Sequence, residues 1–329
     1  MLHPFRSANH PTRRIVGIIA GVVLLAAVAA AVIVGTGRKI PSTPLKPLGA
    51  SSQEEAQPYT GTVRLLLVGT DTADDGKTAC ADSVLYTLWD CDAGRLELLQ
   101  IPRDLLLEDG TVIRNATREG TQAGCEALCE SVSELLQMPV DGYLALDLGG
   151  LGDIVEYIGG VEVDIPTELR MQDSYLPAGR FLLDRNSVDF LVRVRKVYPD
   201  GDFGRQAMLR RVFAGLLSYA RSCTAADAVK LIPAIAPYLK TNLQAETLVR
   251  LAASLETVEA ANVTFSSPSC YFSVVENQNV VKWDPEIIAP LLNLRFGQNL
   301  TPEQLNYPAV DKENDDYLEG SVQNLAELG

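Results

Sequence analysis

The sequence predicts an α/β fold: a single α-β-α layered domain with a mixed central sheet, preceded by one transmembrane helix. Three observations lead to this prediction. Short apolar runs with strand character alternate with amphipathic helical patterns from residue 61 onwards, without separate blocks. The runs 83–89 and 96–101 are joined by a connector with turn chemistry, which predicts an antiparallel hairpin. The segment Ile15–Val34 is uncharged and apolar throughout.

The individual elements follow from local patterns along the chain. Strands are predicted at 63–68, 83–89, 96–101, 143–146, 161–165, 188–194 and 263–266. Helices are predicted at about 121–137, from 151 to the glycine pair 159–160, from 201 onwards, and at 225–239, 244–259 and 284–297. Strands and helices in this order suit helices on both faces of one sheet.

The apolar segment Ile15–Val34 predicts a membrane anchor. Its twenty residues span roughly 30 Å as a helix, which is the thickness of a bilayer core. A cleaved signal peptide is the alternative, although its apolar core is usually shorter. The short tail 1–14 and the Pro/Ser-containing linker 35–60 favour a cytoplasmic N-terminus and an extracytoplasmic domain at 61–300 in a cell membrane. Residues 301–329 form an acidic C-terminal tail, for which we predict a mobile end.

Charge is distributed unevenly along the chain. Residues 1–50 hold six Lys or Arg and no acid, whereas the remainder holds 22 Lys or Arg against 42 Asp or Glu. Such an acidic domain is not expected to bind nucleic acid through a general basic surface. Residues 180–221 are the exception, with nine cationic and four acidic side chains. This local basic segment indicates a specific anion, with ordinary surface arginines as the alternative.

The distribution of histidine and cysteine restricts the chemistry. Both histidines, His3 and His10, precede the apolar segment, so the domain lacks Ser-His-Asp and Cys-His catalysis and His-ligated zinc. The spacing of Cys125 and Cys129 is typical of two small residues on the buried face of one helix. The pairing of the six cysteines stays open: Cys80, Cys91, Cys125, Cys129, Cys223 and Cys270.

Carboxylates and an arginine stand at the ends of three predicted strands. Asp71 ends the first strand and Asp82 opens the second, so the two can share a hard divalent cation such as Mg²⁺ or Mn²⁺. Arg103 closes the third strand directly after Pro102, which restricts the backbone. These positions predict a site at one edge of the sheet.

The basic segment supplies further anion-binding groups. Arg193 and Arg195 alternate on a predicted strand and would point to one face. The stretch 201–206 then combines two glycines, Asp202, Arg205 and Gln206 at the start of a helix, where backbone amides favour an anion. Guanidinium groups bind phosphate oxygens bidentately. A divalent cation with several arginines is typical of a phosphoryl or pyrophosphate site.

In these blocks the sequence resembles the LytR-CpsA-Psr family of cell-wall glycopolymer ligases. The resemblance covers about residues 60–300. It rests on LLLVGTDT (65–72), ADSVLYTL (81–88), LLQIPRD (98–104), Arg114-Asn115-Ala116, the stretch 141–166, LPAGRFLLD (176–184) and VRVRKVYPDGDFGRQ (192–206). The family implies transfer of a glycan phosphate from a polyprenyl-pyrophosphate carrier to a peptidoglycan hydroxyl, with Mg²⁺.

The resemblance also implies roles for individual residues. Asp71 and Asp82 would hold the metal, and Asp202 would orient arginines or assist the incoming hydroxyl. The polyprenyl tail would lie in an apolar tunnel under the sheet. The pyrophosphate clamp would comprise Arg103, Arg193, Arg195, Arg205 and Gln206.

The sequence departs from the family pattern at two arginine positions. Cys80 stands where the family has an arginine before the second metal carboxylate, and Met208 stands where an arginine follows the Asp-x-x-Arg motif. These departures leave two alternatives to the transferase. One is a non-transferring lipid-pyrophosphate binder or cell-envelope regulator, and the other is a polyprenyl-pyrophosphate pyrophosphatase.

Overall fold

The computed structural model describes residues 16–17, 58–72, 79–116, 122–171, 174–193, 196–199, 201–222 and 235–328. Apart from Val16 and Gly17, the predicted anchor Ile15–Val34 lies outside these residues, as does most of the linker. Among the helices in the described ranges, none combines the length and the apolar character needed to cross a bilayer.

The strands of the described residues fall into one large sheet and four smaller ones. They are β1 Val16–Gly17, β2 Thr62–Thr72, β3 Ala79–Asp90, β4 Arg95–Ile101, β5 Gly142–Asp147, β6 Val161–Ile165, β7 Leu169–Met171, β8 Ser174–Leu176, β9 Gly179–Leu183, β10 Arg221–Ser222, β11 Leu239–Thr241, β12 Val263–Ser267, β13 Cys270–Val275, β14 Gln278–Lys282, β15 Asp316–Leu318 and β16 Ser321–Asn324.

The helices complete the architecture. They are α1 Ile113–Ala116, α2 Gln122–Leu136, α3 Leu151–Tyr157, α4 Arg185–Arg193, α5 Asp202–Ala220, α6 Ala245–Ser254, α7 Pro285–Phe296 and α8 Leu325–Leu328. Short 3₁₀ turns lie at Leu148–Gly150, Ala236–Tyr238, Leu255–Thr257, Ala260–Asn262 and Pro302–Gln304.

The central sheet has the strand order β11-β5-β2-β3-β4-β12-β16. It is mixed, because β2 runs parallel to β5 and antiparallel to β3, and β4 runs parallel to β12. The predicted hairpin is confirmed, since Asp90 lies opposite Arg95 across the turn between β3 and β4. The predicted mixed α/β domain is therefore confirmed.

The two faces of the sheet carry different helices. Successive side chains of a strand point to opposite faces. Leu65 accordingly packs in a core with α5 and α6 residues, and Leu66 packs in a second core with α2 and α7 residues. Full burial of each such leucine contributes about 1.5–3 kcal/mol to the free energy of folding. A third core lies among α3, α4, α5, β6 and β9.

A glycine allows helix α5 to approach the β6–β9 hairpin closely. A Cβ on Gly215 would lie 2.1 Å from the backbone oxygen of Glu162, so only glycine permits this approach. The hairpin thereby sets the position of a helix that carries several predicted site residues.

The predicted strand at 188–194 is wrong, because the structure has helix α4 there. Val188, Leu191 and Val192 are buried and share one helical face at spacings of three and four residues. The Asp184 carboxylate also accepts a hydrogen bond from the Ser187 amide at 2.9 Å, which caps the first turn. Of the predicted helix 225–239, residues 225–234 lie outside the described chain, and Leu239 begins β11.

The acidic C-terminal segment joins the fold, contrary to the predicted mobile end. Strand β16 pairs antiparallel with β12 at the edge of the central sheet. Leu325 and Leu328 are each 2% exposed and belong to the core beneath α5. The prediction relied on the acidic composition of the segment and overlooked these few apolar side chains, which pack into the core.

Candidate functional site

A β-bulge places Asp82 at the end of the β2–β3 pair. Gly69 lies opposite Ser83 and Thr70 lies opposite Ala81, so Asp82 is the extra residue between these two pairs. Bulges of this kind re-aim a side chain and are common beside functional sites. Asp82 is 4% exposed.

The carboxylate of Asp82 is in direct contact with Arg103. The contact joins Asp82 Oδ1 to Nη1 of Arg103, which follows Pro102 at the end of β4. Arg103 Nε also lies 3.8 Å from Asp104 Oδ1, and Asp104 in turn pairs with Arg114. Charges of alternating sign thus run from the buried Asp82 towards the more exposed Arg114.

The first turn of α5 completes this arrangement. Arg205 is buried, and its Nε donates to Asp202 Oδ1 at 2.9 Å. Arg205 Nη2 donates to the backbone oxygen of Asp82 at 3.0 Å, and Nη1 donates to the Val192 oxygen at 3.2 Å. Gln206 Nε2 donates to the same Asp82 oxygen at 2.5 Å.

Five sequence-predicted residues therefore meet in one place. They are Asp82, Arg103, Asp202, Arg205 and Gln206. Arg205 already has a protein acceptor for each of its nitrogens, so in this structure it also fixes the positions of Asp82 and Asp202. Its part in pyrophosphate binding stays a prediction.

The remaining predicted residues are described in part or not at all. The backbone of Asp71 pairs with Cys80, two residues before Asp82, but its side chain lies outside the described atoms. Arg193 is the last residue of α4 and not a strand residue, and its side chain likewise lies outside them. Arg195 falls entirely outside the described residues.

A polar cleft opens beside these groups. It has a volume of about 100 Å³, and Arg103, Asp104, Asp202 and Gln206 line it. Phe203 of α5 and Phe272 of β13 stand at one wall with ring centroids 5.2 Å apart. Hydrogen-bonding groups of both charges thus face one small volume.

An apolar cavity of about 150 Å³ lies between the sheet and α5. Apolar side chains make up most of its lining, among them leucines of β2, β5 and α5. Gln100 and Gln206 line both this cavity and the polar cleft, and Gln100 Nε2 donates to Gln206 Oε1 at 2.9 Å. The amide pair is therefore the boundary between a charged volume and an apolar one.

Two residues at this boundary were not among the site residues predicted from the sequence. Gln100 is a polar residue inside an apolar strand, and Arg210 lies one helical turn after Gln206 on α5. Arg210 donates a hydrogen bond to Gln100 Oε1. Burial lowers the pKa of the Arg210 guanidinium to about 10, with the neighbouring Arg211 as a smaller cause. For Gln100, the signal in the sequence was a polar side chain between the apolar residues Leu99 and Ile101, whereas Arg210 was one of the nine cations of the basic segment 180–221.

Of the two predicted ligands of a divalent cation, the structure describes the side chain of Asp82 but not that of Asp71. Within the part of the chain that the structure describes, no three His, Cys, Asp or Glu side chains come together as metal ligands. The Asp82 carboxylate has the right oxygen chemistry, but Arg103 contacts one oxygen and Arg205 lies 3.9 Å from the other. A cation at Asp82 would have to share this carboxylate with Arg103.

Comparison with known proteins assigns this chain to a family. The sequence model of the LytR_cpsA_psr family matches residues 36–289. The polyisoprenyl-teichoic acid–peptidoglycan teichoic acid transferase TagU of Bacillus cereus is 28% identical over 187 residues, which are 55% of this chain and 60% of the relative. The corresponding TagV of Bacillus subtilis is 26% identical over 199 residues, or 56% of this chain and 49% of the relative. The chain thus spans about half of each of these relatives.

Solved structures show the same fold. Bacillus subtilis TagV superposes with a TM-score of 0.60 at 21% identity, over 76% of this chain and 100% of that one. TagT bound to LIIa-WTA superposes with a TM-score of 0.57 at 18% identity, over 76% of this chain and 98% of that one. Because the family model matches most of the sequence and the folds agree, this chain belongs to the LytR_cpsA_psr family.

Proposed function

We propose that this protein is a phosphotransferase that moves a glycan phosphate from a polyprenyl-pyrophosphate carrier to a peptidoglycan hydroxyl. One observation carries the proposal: the charged cleft and the apolar cavity share the Gln100–Gln206 pair as their boundary. An amphiphile with an anionic head and a long apolar tail fits such a pair of volumes. The names of the relatives, which act on polyisoprenyl-linked teichoic acid, support the same substrate class.

The cleft would hold the end of the pyrophosphate that carries the glycan. Arg103 lines it, and Arg193 and Arg195 are expected from the sequence to add further guanidinium groups. Guanidinium–phosphate hydrogen bonds are short and charge-assisted, so they discriminate strongly for an anionic head group. Arg205 would act with them and would also hold Asp82 and Asp202 in place.

The transfer requires a proton acceptor for the attacking hydroxyl, and we assign this role to Asp202. Its carboxylate lines the cleft and is oriented by Arg205. The hydroxyl oxygen of the acceptor forms a bond to the phosphorus that carries the glycan, and its proton passes to Asp202. The bond from that phosphorus to the bridging oxygen breaks, and polyprenyl phosphate leaves.

The chemistry of the strand ends suits Mg²⁺ or Mn²⁺ as a cofactor. Asp71 and Asp82 stand on adjacent strands and would supply carboxylate oxygens, which such cations prefer. A bound cation would neutralise charge on the phosphate oxygens. The cell membrane is the proposed location, with Ile15–Val34 as a single span and the folded domain extracytoplasmic. This placement requires that the pairing of β1 with β10 in the structure is absent from the membrane-bound protein.

A transfer assay tests the proposal. The full chain is incubated with a short-chain prenyl-pyrophosphate glycan and a peptidoglycan oligosaccharide, and the products are identified by mass spectrometry. We expect a phosphodiester-linked product and free prenyl phosphate, both lost in Asp202→Asn and retained in the control Asp164→Asn. Asp164 is a partly exposed partner of Arg211 on the β6–β9 hairpin and does not line the cleft. Full activity of Asp202→Asn would contradict the assignment of the proton acceptor.

A non-transferring binder is the second candidate, and two residues favour it. Cys80 lies opposite Asp71 on the neighbouring strand, and Met208 is buried in the apolar core among α3, α4 and α5, so neither position supplies a guanidinium. Donor binding without product, followed by a gain of transfer in Cys80→Arg, would support this candidate. Release of prenyl phosphate that does not depend on the acceptor would instead indicate a pyrophosphatase.

A further inference from the structure

We propose that Arg210 forms a second anion subsite, inside the apolar cavity, that binds the phosphate next to the lipid chain of the occupant. The inference rests on the proposed function, because it takes the occupant of the cavity to be a prenyl chain. It adds that the cavity selects a lipid phosphate over a neutral lipid of the same length.

The burial of Arg210 is the first observation. Its side chain lies in the lining of the cavity, where its neighbours along α5 are Leu209, Val212 and Phe213. Arg210 is 8% exposed, so its guanidinium has almost no water. A charged group in such surroundings is rare unless it has a counter-charge.

The second observation is the lack of a counter-charge in the protein. Among the residues that the structure describes, Arg210 has a hydrogen bond to Gln100 only, and its Nε has no acceptor. The adjacent Arg211, in contrast, lies 3.3 Å from the Asp164 carboxylate. Burying an uncompensated cation costs several kcal/mol, which an anion from the ligand would offset.

The cation persists under physiological conditions. The pKa of Arg210, lowered by burial to about 10, still leaves the guanidinium protonated near neutral pH. The Arg210 side chain is therefore charged and buried, and its Nε is a hydrogen-bond donor without an acceptor. Together these three properties of Arg210 favour the binding of an anion.

The position of Arg210 identifies which part of a lipid would reach it. Gln206 and Arg210 are four residues apart on α5, so they share a face and lie roughly 6 Å apart along the helix axis. Gln206 contacts the Asp82 backbone at the polar cleft, whereas Arg210 lies on the cavity side of the amide pair. An anionic group at Arg210 is thus nearer to the apolar chain than one in the cleft.

Ligand binding to the full chain in amphipol tests the subsite. The ligands titrated are farnesyl phosphate, farnesol and inorganic phosphate. Binding is followed by the fluorescence of Trp89, which lines the cavity. The other tryptophan of the chain is removed in all variants by Trp283→Phe. The wild type should bind farnesyl phosphate at least tenfold more tightly than farnesol. Arg210→Met should abolish this preference and leave farnesol binding unchanged, and Arg210→Lys should retain part of it. The control Arg211→Met should keep the preference.

A stability measurement separates this role from a structural one. If Arg210 serves only the fold, Arg210→Met should lower the melting temperature of the ligand-free protein. We expect it to be unchanged or raised, because the substitution removes an uncompensated buried charge.

Several outcomes would overturn the proposal. Equal binding of farnesyl phosphate and farnesol by the wild type would refute the subsite and leave the proposed function standing. Inorganic phosphate that binds as tightly as farnesyl phosphate would show that the subsite serves a free anion. If the wild type binds neither lipid, the proposed function fails as well.

Discussion

Asp82 and Arg103 form a buried ion pair that joins the ends of the neighbouring strands β3 and β4. The bulge turns Asp82 towards Arg103, and the same residue offers its backbone oxygen to Arg205 and Gln206. One acidic residue thus connects the sheet edge with the first turn of α5.

The first prediction concerns this ion pair. Asp82→Asn should lower the free energy of unfolding by about 3 kcal/mol, because it removes the counter-charge of a buried arginine. The same variant should lose the Mg²⁺-dependent part of farnesyl pyrophosphate binding. Urea denaturation measures the first effect, and calorimetric titration with Mg²⁺ or with chelator measures the second.

Asp164→Asn is the matched control for this experiment, since the Asp164 side chain is 38% exposed and ion pairs with an exposed partner contribute only about 0–1 kcal/mol. Equal binding of the donor by the wild type with Mg²⁺ and with chelator would remove the metal from the mechanism.

The second prediction concerns Arg205. Arg205→Met should weaken pyrophosphate binding at least tenfold and also destabilise the protein by about 2–4 kcal/mol, because three protein acceptors lose their donor. Arg185→Met should do neither, since Arg185 pairs with Asp153 and Glu156 at a more exposed position. Thermal unfolding and calorimetric titration provide the two readouts. Unchanged stability of Arg205→Met would show that its buried contacts are weak.

The third prediction concerns the C-terminal segment. Leu328→Ala should lower the free energy of unfolding by about 2 kcal/mol, because Leu328 is buried in the core beneath α5. Val322→Ala lies on the adjacent strand β16 but is 53% exposed, so its effect should stay within about 0.5 kcal/mol. Chemical denaturation of both variants checks the difference. Similar values for the two would mean that α8 contributes little to the fold.

The fourth prediction concerns the thiols. Burial raises the pKa of Cys91 and Cys270 to about 12, so only roughly one molecule in 10,000 carries the reactive thiolate at pH 8. Both should resist iodoacetamide in the native protein and react after denaturation. Peptide mass spectrometry identifies the modified residues. Rapid alkylation of Cys270 in the folded protein would indicate local opening around β13.

The sequence predicted the parts of the fold that depend on local pattern. Apolar runs identified β2, β3 and β4, because a strand buried on both faces needs nearly continuous apolar residues. A turn-forming connector identified the hairpin of β3 and β4. The same reasoning failed at α4, where short runs of apolar and charged residues fit both periods. Only the packing of Val188 and Leu191 into the third core selects the helix.

The sequence by itself identified residues that meet in one place, because Asp82, Arg103, Asp202, Arg205 and Gln206 stand in short motifs from which a phosphate site is predicted without any knowledge of distance. The tertiary structure decided how they are joined and where the polar cleft meets the apolar cavity. Gln100 and Arg210 are 110 residues apart, and their contact depends on how α5 lies across the sheet. That register is set by the close approach of Gly215 to β6 and by core packing, which are long-range contacts that no local pattern encodes.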